Sequence, residues 1–232
     1  MKIVIINGQS HKGSTEHIAM ALAEKIGGEV TEFFLPRDFG EFCCGCTKCF
    51  IESETKCPHF EKLSPITDAL DVADLIILAS PVYVYHSSGA MKAFLDHYGY
   101  RWMVHRPAGC MFTKQAVCIS TAAGAGLKST NKDMSDSLFF WGCARIYKLG
   151  VAVMETDWEK VKPEIKAKIE KKTTSLAKKI LNRQGRVTPA VKTKAFFCIM
   201  RLMQKNGFNE ADKNYWAETG WTGKSRPWKL HK

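Results

Sequence analysis

The chain has 232 residues, 45% of them apolar, which is enough for one domain with a substantial core and an extension. It lacks a run of about 18 uncharged apolar residues and a signal-peptide pattern, so we expect a cytoplasmic protein without a transmembrane segment. The net charge of +11 is uneven: residues 1–157 carry 15 basic and 17 acidic side chains, whereas residues 158–232 carry 19 and 6. This asymmetry, with no recognisable binding module, argues against nucleic acid as a partner.

Strand and helix patterns alternate from the N-terminus onward. Buried or alternating apolar runs predict strands at Lys2–Asn7, Glu29–Leu35, Asp74–Ser80, Gln115–Thr121 and Ala144–Met154, with Pro81 ending the third strand. Helical spacing predicts helices at His17–Ile26, Ile66–Val72, Ser88–Tyr98, a segment ending near Trp141, and Trp158–Leu181. This order predicts an α/β fold with a parallel sheet covered by helices on both faces.

The loop after the first strand has the composition of an anion site. In such sheets ligands bind beyond the carboxyl ends of the strands, and here a helix follows directly, so its free N–H groups point at the loop. The loop is not a Walker A motif, because Ser14 stands where the lysine would be. We expect a phosphate to be bound by Gln9, Ser10, His11, Lys12, Gly13, Ser14 and Thr15.

The segment from residue 36 to residue 60 is predicted to be a loop, and it is rich in cysteine. Cys43, Cys46, Cys49 and Cys57 have the spacing C-x2-C-x2-C-x7-C, and four thiolates so close in sequence could surround one metal centre. The compact part of this spacing is typical of [4Fe–4S] ligands. Thiols without a metal and a zinc site are the alternatives that the spacing leaves open.

The loop after the third strand carries a specific resemblance. Ser80, Pro81 and Tyr83, then Ser88-Gly89, then a helix with Lys92-x-Phe94-x-Asp96, resemble the NADPH-dependent FMN reductase family of the flavodoxin-like superfamily over about residues 1–155. The cysteine spacing is similar to that of the iron–sulfur flavoproteins, which are relatives in that superfamily. The resemblance implies a flavodoxin-like three-layer α/β/α sandwich, with a five-stranded parallel sheet in the order 2-1-3-4-5.

The resemblance also implies the cofactor and its contacts. FMN would place its phosphate in the first loop and its ring between two further loops, which are Pro81, Val82, Tyr83, Val84, Tyr85 and His86, and Thr121, Ala122, Ala123 and Gly124. We expect Gly89 to meet the flavin ring closely, so that a larger residue there would crowd it. NAD(P)H would be the co-substrate. The acceptor would be a quinone, a nitro compound, a metal or a protein.

No constellation of side chains demands a general acid or a nucleophile, because a flavin itself accepts hydride. His86 is the single weak candidate for a proton donor. A non-enzymatic flavin or iron–sulfur electron carrier, or a redox sensor, is the alternative function.

The last third of the chain divides into a helix and an extension. We assign residues 1–182 to the flavin-binding domain and residues 183–232 to a basic, aromatic-rich C-terminal extension with helical segments. An amphipathic basic helix could lie on a membrane surface. Because its aromatic side chains would otherwise be exposed, we expect the extension to pack on its own domain or on a partner subunit, and a homodimer or higher homo-oligomer is expected.

Overall fold

Five parallel strands form the centre of the protein. The structure is a computed structural model that describes residues 1–155 and 157–229. Its strands are β1 (Lys2–Asn7), β2 (Glu29–Phe34), β3 (Leu75–Tyr83), β4 (His86–Ser87), β5 (Gln115–Ala122) and β6 (Arg145–Ala152). The long strands lie in the order β2-β1-β3-β5-β6, and the two-residue β4 pairs antiparallel with β3. Since β4 is an addition to the end of β3, the predicted order of the five parallel strands is confirmed.

Two layers of helices cover the sheet. The helices are α1 (Ser14–Ile26), α2 (Lys48–Ile51), α3 (Phe60–Val72), α4 (Gly89–Asp96), α5 (Leu127–Phe140), α6 (Pro163–Leu181), α7 (Val191–Met203) and α8 (Glu210–Glu218). Ile3 and Ile5 of β1 share a core with α1 and α6. Val4 and Ile6 point to the other face and pack with α3, α4 and α5. This alternation of neighbouring side chains produces the predicted α/β/α sandwich.

The third strand does not end at Pro81. Its pairing with β5 continues to Pro81 opposite Thr121, and the strand itself continues to Tyr83. On its other side β1 ends with Asn7 opposite Ala79. Beyond Ala79 the strand therefore has one parallel neighbour only, and proline is tolerated because its missing N–H is not required by a second strand.

Three helix starts differ from prediction by three residues or more, and the first is that of α1, which begins at Ser14 rather than at His17. The helix α3 begins at Phe60 and contains Pro65, whereas the sequence pattern predicts a start after that proline. The last predicted helix is interrupted: Trp158–Lys160 is a 3-10 turn, and α6 begins with Pro163 at its first turn, where proline is favoured. The segment predicted to be a loop contains α2 and a 3-10 turn at Glu54–Lys56.

The C-terminal extension packs on its own chain. Phe197 and Met200 of α7 and Trp216 of α8 share a buried cluster with Met103 and Phe112, which lie in the connection between α4 and β5. None of the helices that the structure describes is long and apolar enough to cross a membrane. The aromatic side chains of the extension thus cover a part of the domain that would otherwise be open to solvent.

Replacing Trp216 with Ala should destabilise the protein strongly. Trp216 is fully buried and donates from Nε1 to the His105 carbonyl at 2.5 Å, so we expect a loss of about 3–5 kcal/mol in the free energy of unfolding. Chemical denaturation followed by circular dichroism measures it. Leu202→Ser is the matched control on α7, because Leu202 is 60% exposed. Equal stability of the two variants would show that the extension does not pack as described.

Candidate functional site

A cleft of about 440 Å³ opens at the carboxyl ends of the parallel strands. It lies where β1 and β3 send their connections to opposite faces of the sheet, which is the position expected for a ligand in such folds. Four segments line it: Gln9, His11, Gly13, Ser14 and Thr15; Pro81, Val82 and Tyr83; Thr121, Ala122 and Ala123; and Val153, Met154 and Glu155.

Free hydrogen-bond donors face this cleft at the start of α1. Gly13 is the N-cap residue, and no side chain caps the helix. The Ser14 hydroxyl is buried and has no hydrogen-bond partner among the described residues. A buried polar group without a partner is costly, and the N–H groups of a first helical turn favour an anion. A ligand phosphate satisfies both requirements.

The first and third loops are joined by a buried hydrogen bond. Thr15 Oγ1 lies 2.5 Å from Thr121 Oγ1. This bond fixes the start of α1 against the end of β5, so the two walls of the cleft have a defined separation.

The second loop is joined to the first by two serines. Ser88 is the N-cap of α4: its Oγ accepts from the Met91 N–H at 3.1 Å. The same hydroxyl donates to the Gly8 carbonyl at 2.5 Å, while Ser80 Oγ accepts from the Ser88 N–H at 3.0 Å. One capped helix start therefore holds β1, β3 and α4 in register at the cleft.

A strained hairpin forms the rim of the cleft. Its two turn residues, Val84 and Tyr85, have φ of 47° and 67°, and side chains other than glycine, asparagine or aspartate rarely adopt this conformation. The helix α5 holds the hairpin from below: Ser129 donates to the Tyr85 carbonyl, and Asp133 accepts from the Ser87 N–H at 3.1 Å. Strain maintained by surrounding contacts is typical of ligand-binding loops.

The predicted cofactor-binding residues fall into two groups. The structure brings eleven of them together as cleft lining, namely Gln9, His11, Gly13, Ser14, Thr15, Pro81, Val82, Tyr83, Thr121, Ala122 and Ala123. Ser10, Lys12, Val84, Tyr85, His86 and Gly124 are not part of that lining. Ser10 and Lys12 are exposed to solvent.

His86 points away from the cleft. Its Nδ1 lies 3.0 Å from Asp133 Oδ2, and the ring lines a separate groove between α4 and α5. The structure therefore gives His86 a role in holding the hairpin to α5 rather than a position at the lining of the cleft.

Val153, Met154 and Glu155 belong to the cleft and are missed by the sequence analysis. They follow β6, so the rule that ligands lie beyond strand ends could have identified them. They were overlooked because the predicted fifth strand extends to Met154, whereas β6 ends at Ala152.

Glu16 carries a carboxylate in the first turn of α1, close to the loop predicted to bind an anion. Glu16 itself is not part of the cleft lining. It is buried, and burial raises the pKa of its carboxyl group, while the neighbouring His17 acts in the opposite direction. A less acidic carboxyl group repels a bound phosphate less at a given pH.

The cysteine segment lies outside the cleft. Cys43, Cys44 and Cys46 are exposed, and Cys49 and Cys57 are half-buried. Burial, followed by the nearby thiols of Cys57, Cys43 and Cys46, raises the pKa of Cys49 to about 11. Of the four predicted metal ligands, Cys57 alone belongs to a group of metal-ligating side chains whose ligand atoms lie close together in the described part of the chain.

Two histidines, His59 and His97, lie beside Cys57, and the sequence analysis did not identify them. Ligand atoms of Cys57, His59 and His97 all lie within 4.8 Å of one another. His97 is buried, and its Nδ1 is 2.7 Å from the Ala93 carbonyl. Donation from Nδ1 leaves Nε2 as an acceptor, 2.9 Å from His59 Nδ1. Burial lowers the pKa of His97, so the ring favours its neutral form.

Gly89 is not part of the cleft lining, and a Cβ at this position would meet no protein atom within 4 Å. Its contact with the flavin ring stays a prediction. The glycine that the hairpin requires is Gly126, at the start of α5. It has a φ of +88°, and a Cβ there would lie 2.5 Å from Val82 Cγ1 and 3.0 Å from Tyr85 Cα.

Comparisons with known proteins agree with this geometry. Residues 1–157 match the family described as NADPH-dependent FMN reductase. An iron–sulfur flavoprotein of Archaeoglobus fulgidus is 26% identical over 234 residues, covering 95% of this chain and 99% of that protein. An NADPH azoreductase of a Bacillus species (strain OY1-2) is 30% identical over 115 residues, covering 48% of this chain and 57% of that protein.

Solved structures share the fold. A flavone reductase superposes with a TM-score of 0.59 at 16% identity, covering 82% of this chain and 66% of that protein. An FMN-dependent NADH-azoreductase from Bacillus anthracis, solved in complex with FMN, superposes with a TM-score of 0.58 at 12% identity, covering 78% of this chain and all of that protein.

Gly126→Ala should weaken the binding of FMN. The new methyl group forces Val82 and the Tyr85 backbone away from α5 and imposes a strained φ, so the hairpin rim moves; we expect a loss of at least about tenfold in affinity. Quenching of flavin fluorescence during titration measures it.

Gly223→Ala is the control, because Gly223 lies in the extension outside the cleft, its φ is not positive, and a Cβ there would lie 3.5 Å from its nearest neighbour, the Gly220 carbonyl oxygen. Unchanged FMN affinity in the Gly126 variant would contradict a role for the hairpin in binding.

Proposed function

We propose that this chain, which belongs to the NADPH-dependent FMN reductase family, uses FMN in the cleft to pass electrons from NAD(P)H to a small-molecule or protein acceptor. The observation that carries the proposal is the buried, unpartnered Ser14 hydroxyl at an uncapped helix start inside that cleft. Quinones, nitro and azo compounds and metals are the acceptor classes. The azo class is suggested by the NADPH azoreductase relative.

The residues at the start of α1 would hold the FMN phosphate. Ser14 and Thr15 offer hydroxyl groups and backbone N–H groups, and the helix dipole adds a positive partial charge. His11 is a further donor at the lining of the cleft. Lys12 does not line the cleft, so its positive charge would attract the phosphate from a distance without contacting it.

The flavin ring would lie between the hairpin and the third loop. Pro81 to Tyr83 form one wall, and the small residues Thr121 to Ala123 form another that lets the backbone approach closely. When bound, FMN supplies the redox chemistry, since its ring accepts hydride and releases electrons to an acceptor. The chain's own part is to bind the ring, orient it and shield one of its faces from water.

The open side of the cleft would receive the nicotinamide and the acceptor in turn. Tyr83, which is 50% exposed, and Met154, which is 64% exposed, offer apolar surfaces at that opening.

Steady-state kinetics test this function and separate it from a non-enzymatic electron carrier or redox sensor. With a quinone as the varied acceptor at several fixed NADPH concentrations, the FMN-loaded protein should oxidise NADPH with parallel double-reciprocal lines. That pattern is expected because both substrates use one open side of the cleft. Intersecting lines would contradict the binding of NADPH and acceptor in turn at one open side. If no class of acceptor supports turnover, a non-enzymatic electron carrier or redox sensor is favoured.

A homo-oligomer and a cytoplasmic location are part of the same proposal. The exposed apolar side chains at the hairpin tip, Val84 at 93% and Tyr85 at 65%, support the first, because exposed apolar residues beside a ligand site favour contact with a second copy.

A [4Fe–4S] cluster is the second candidate feature, and we propose Cys43, Cys46, Cys49 and Cys57 as its ligands. The chemistry of the donor set supports the proposal: the four thiols are free and lie in one short segment, and thiolates are the ligands that such clusters require. A relative that matches nearly its whole length to this chain is named an iron–sulfur flavoprotein. The cluster would supply one-electron chemistry beside the flavin domain.

Iron and acid-labile sulfide contents of anaerobically purified protein test the cluster. We expect about four of each per chain, and Cys46→Ser should lower both. Cys198→Ser is the control, because Cys198 is an exposed thiol on α7 outside the segment. Zinc without sulfide would favour a mononuclear site that includes Cys57 and the two histidines, and the absence of any metal would favour free thiols.

A further inference from the structure

The cysteine segment cannot hold its shape through its own helix. α2 has four residues, no side-chain cap, and a preceding Thr47 with a φ of 58°. A helix of one turn is not stable alone in water, and the last carbonyl groups of any helix lack partners within it. For α2 these include the carbonyls of Cys49 and Phe50, and Cys49 is one of the four proposed ligands.

Arg106 supplies those partners. Its guanidinium donates from Nη1 to the Phe50 carbonyl at 2.9 Å and from Nη2 to the Cys49 carbonyl. The planar fork of arginine is suited to holding two acceptors at once. Arg106 is itself buried, so this cation needs an anion beside it.

That anion comes from the C-terminal extension. Asp212, in the first turn of α8, is fully buried, and its Oδ1 accepts from Arg106 Nη1 at 2.6 Å. Its Oδ2 accepts from Asn209 Nδ2 at 2.9 Å and lies 2.7 Å from His105 Nδ1. The carboxylate is therefore well satisfied by partners from both sides of the contact.

Further bonds attach the same stretch of chain to the extension. Tyr215 donates to the Pro107 carbonyl at 2.6 Å, and Gln204 donates to the Val104 carbonyl at 2.5 Å. The His105 ring, in turn, packs edge-on against Phe50 with ring centroids 4.7 Å apart. The residues between Val104 and Pro107 thus connect the extension to the cysteine segment.

From these contacts we infer that Asp212 and Arg106 are positioning residues for the cysteine segment. The extension fixes Arg106 through Asp212, and Arg106 fixes the backbone of Cys49. The purpose of this arrangement rests on the proposed metal site, which needs Cys49 at a defined place relative to the other thiols. The positioning of Cys49 by Arg106 and Asp212 can be tested in metal-free protein. Its failure is therefore distinguishable from a failure of the proposed metal site.

Alkylation of the reduced, metal-free full chain with iodoacetamide, followed by mass spectrometry of each cysteine, tests the inference. In the wild type we expect Cys49 to react at least about tenfold more slowly than the exposed Cys46, because it is half-buried and held in place. In the double variant Arg106→Met with Asp212→Asn, the Cys49 rate should rise about tenfold. Removal of both partners of a buried ion pair often leaves stability nearly unchanged.

The double variant Arg101→Met with Asp71→Asn is the matched control. Arg101 is the other buried arginine paired with a carboxylate, and its bonds go to Asp71 rather than to the cysteine segment. The Cys49 rate should stay at the wild-type value in this control. An unchanged rate in the Arg106 variant, or an equal rise in both variants, would overturn the inference.

A measurement on the wild type covers the case in which the variant does not fold. With increasing urea, the alkylation rate of Cys49 should rise at the same concentration at which the amides of α8 lose protection from hydrogen exchange. The two events coincide because the Arg106–Asp212 ion pair joins α8 to the cysteine segment. Reactive Cys49 at concentrations where α8 remains protected would overturn the assignment.

Discussion

The start of α1 carries hydrogen-bond donors that need an anion as their partner, and the contacts around it keep the cleft open for that anion. It presents backbone N–H groups without a capping side chain and a buried Ser14 hydroxyl without a partner among the described residues. Such groups are stabilised when an anion is bound and are costly when it is absent. The surrounding contacts keep this arrangement open: Thr15 is bonded to Thr121, and Ser88 joins Gly8 to α4. This arrangement is the basis on which we propose that the loop binds the FMN phosphate.

The same chain connects two sites through different parts of its fold. The cleft depends on the hairpin after β3, which α5 holds through Asp133 and Ser129. The cysteine segment depends on the extension, which reaches it through Asp212 and Arg106. α4 lies between them, with Ser88 at its start beside the cleft and His97 at its end beside Cys57. This one helix therefore connects the proposed flavin site to the proposed metal site.

Local patterns were sufficient for the sheet and for much of the cleft. Buried β-branched runs predict the five parallel strands, and the rule for strand ends predicts that the loops with Ser14, Thr15 and Thr121 come together, as they do in the cleft lining. Pro81 misled the prediction because a strand with one neighbour tolerates proline, which sequence alone does not reveal. The bond between Arg106 and Asp212 joins residues 106 positions apart, and the group of Cys57, His59 and His97 likewise depends on tertiary packing. No local periodicity encodes such contacts.

Comparison of FMN with riboflavin tests the central claim most directly, because riboflavin has the same ring without the phosphate. Binding constants for both ligands, measured by fluorescence quenching on the wild type and on Ser14→Ala, separate the phosphate contribution from that of the ring. The account predicts that the wild type binds FMN at least about 100-fold more tightly, as expected for charge-assisted bonds worth about 1.5–3 kcal/mol each. It also predicts that Ser14→Ala weakens FMN binding and leaves riboflavin binding unchanged. Equal affinity of the wild type for the two ligands would contradict the assignment of the loop after β1 as the phosphate site.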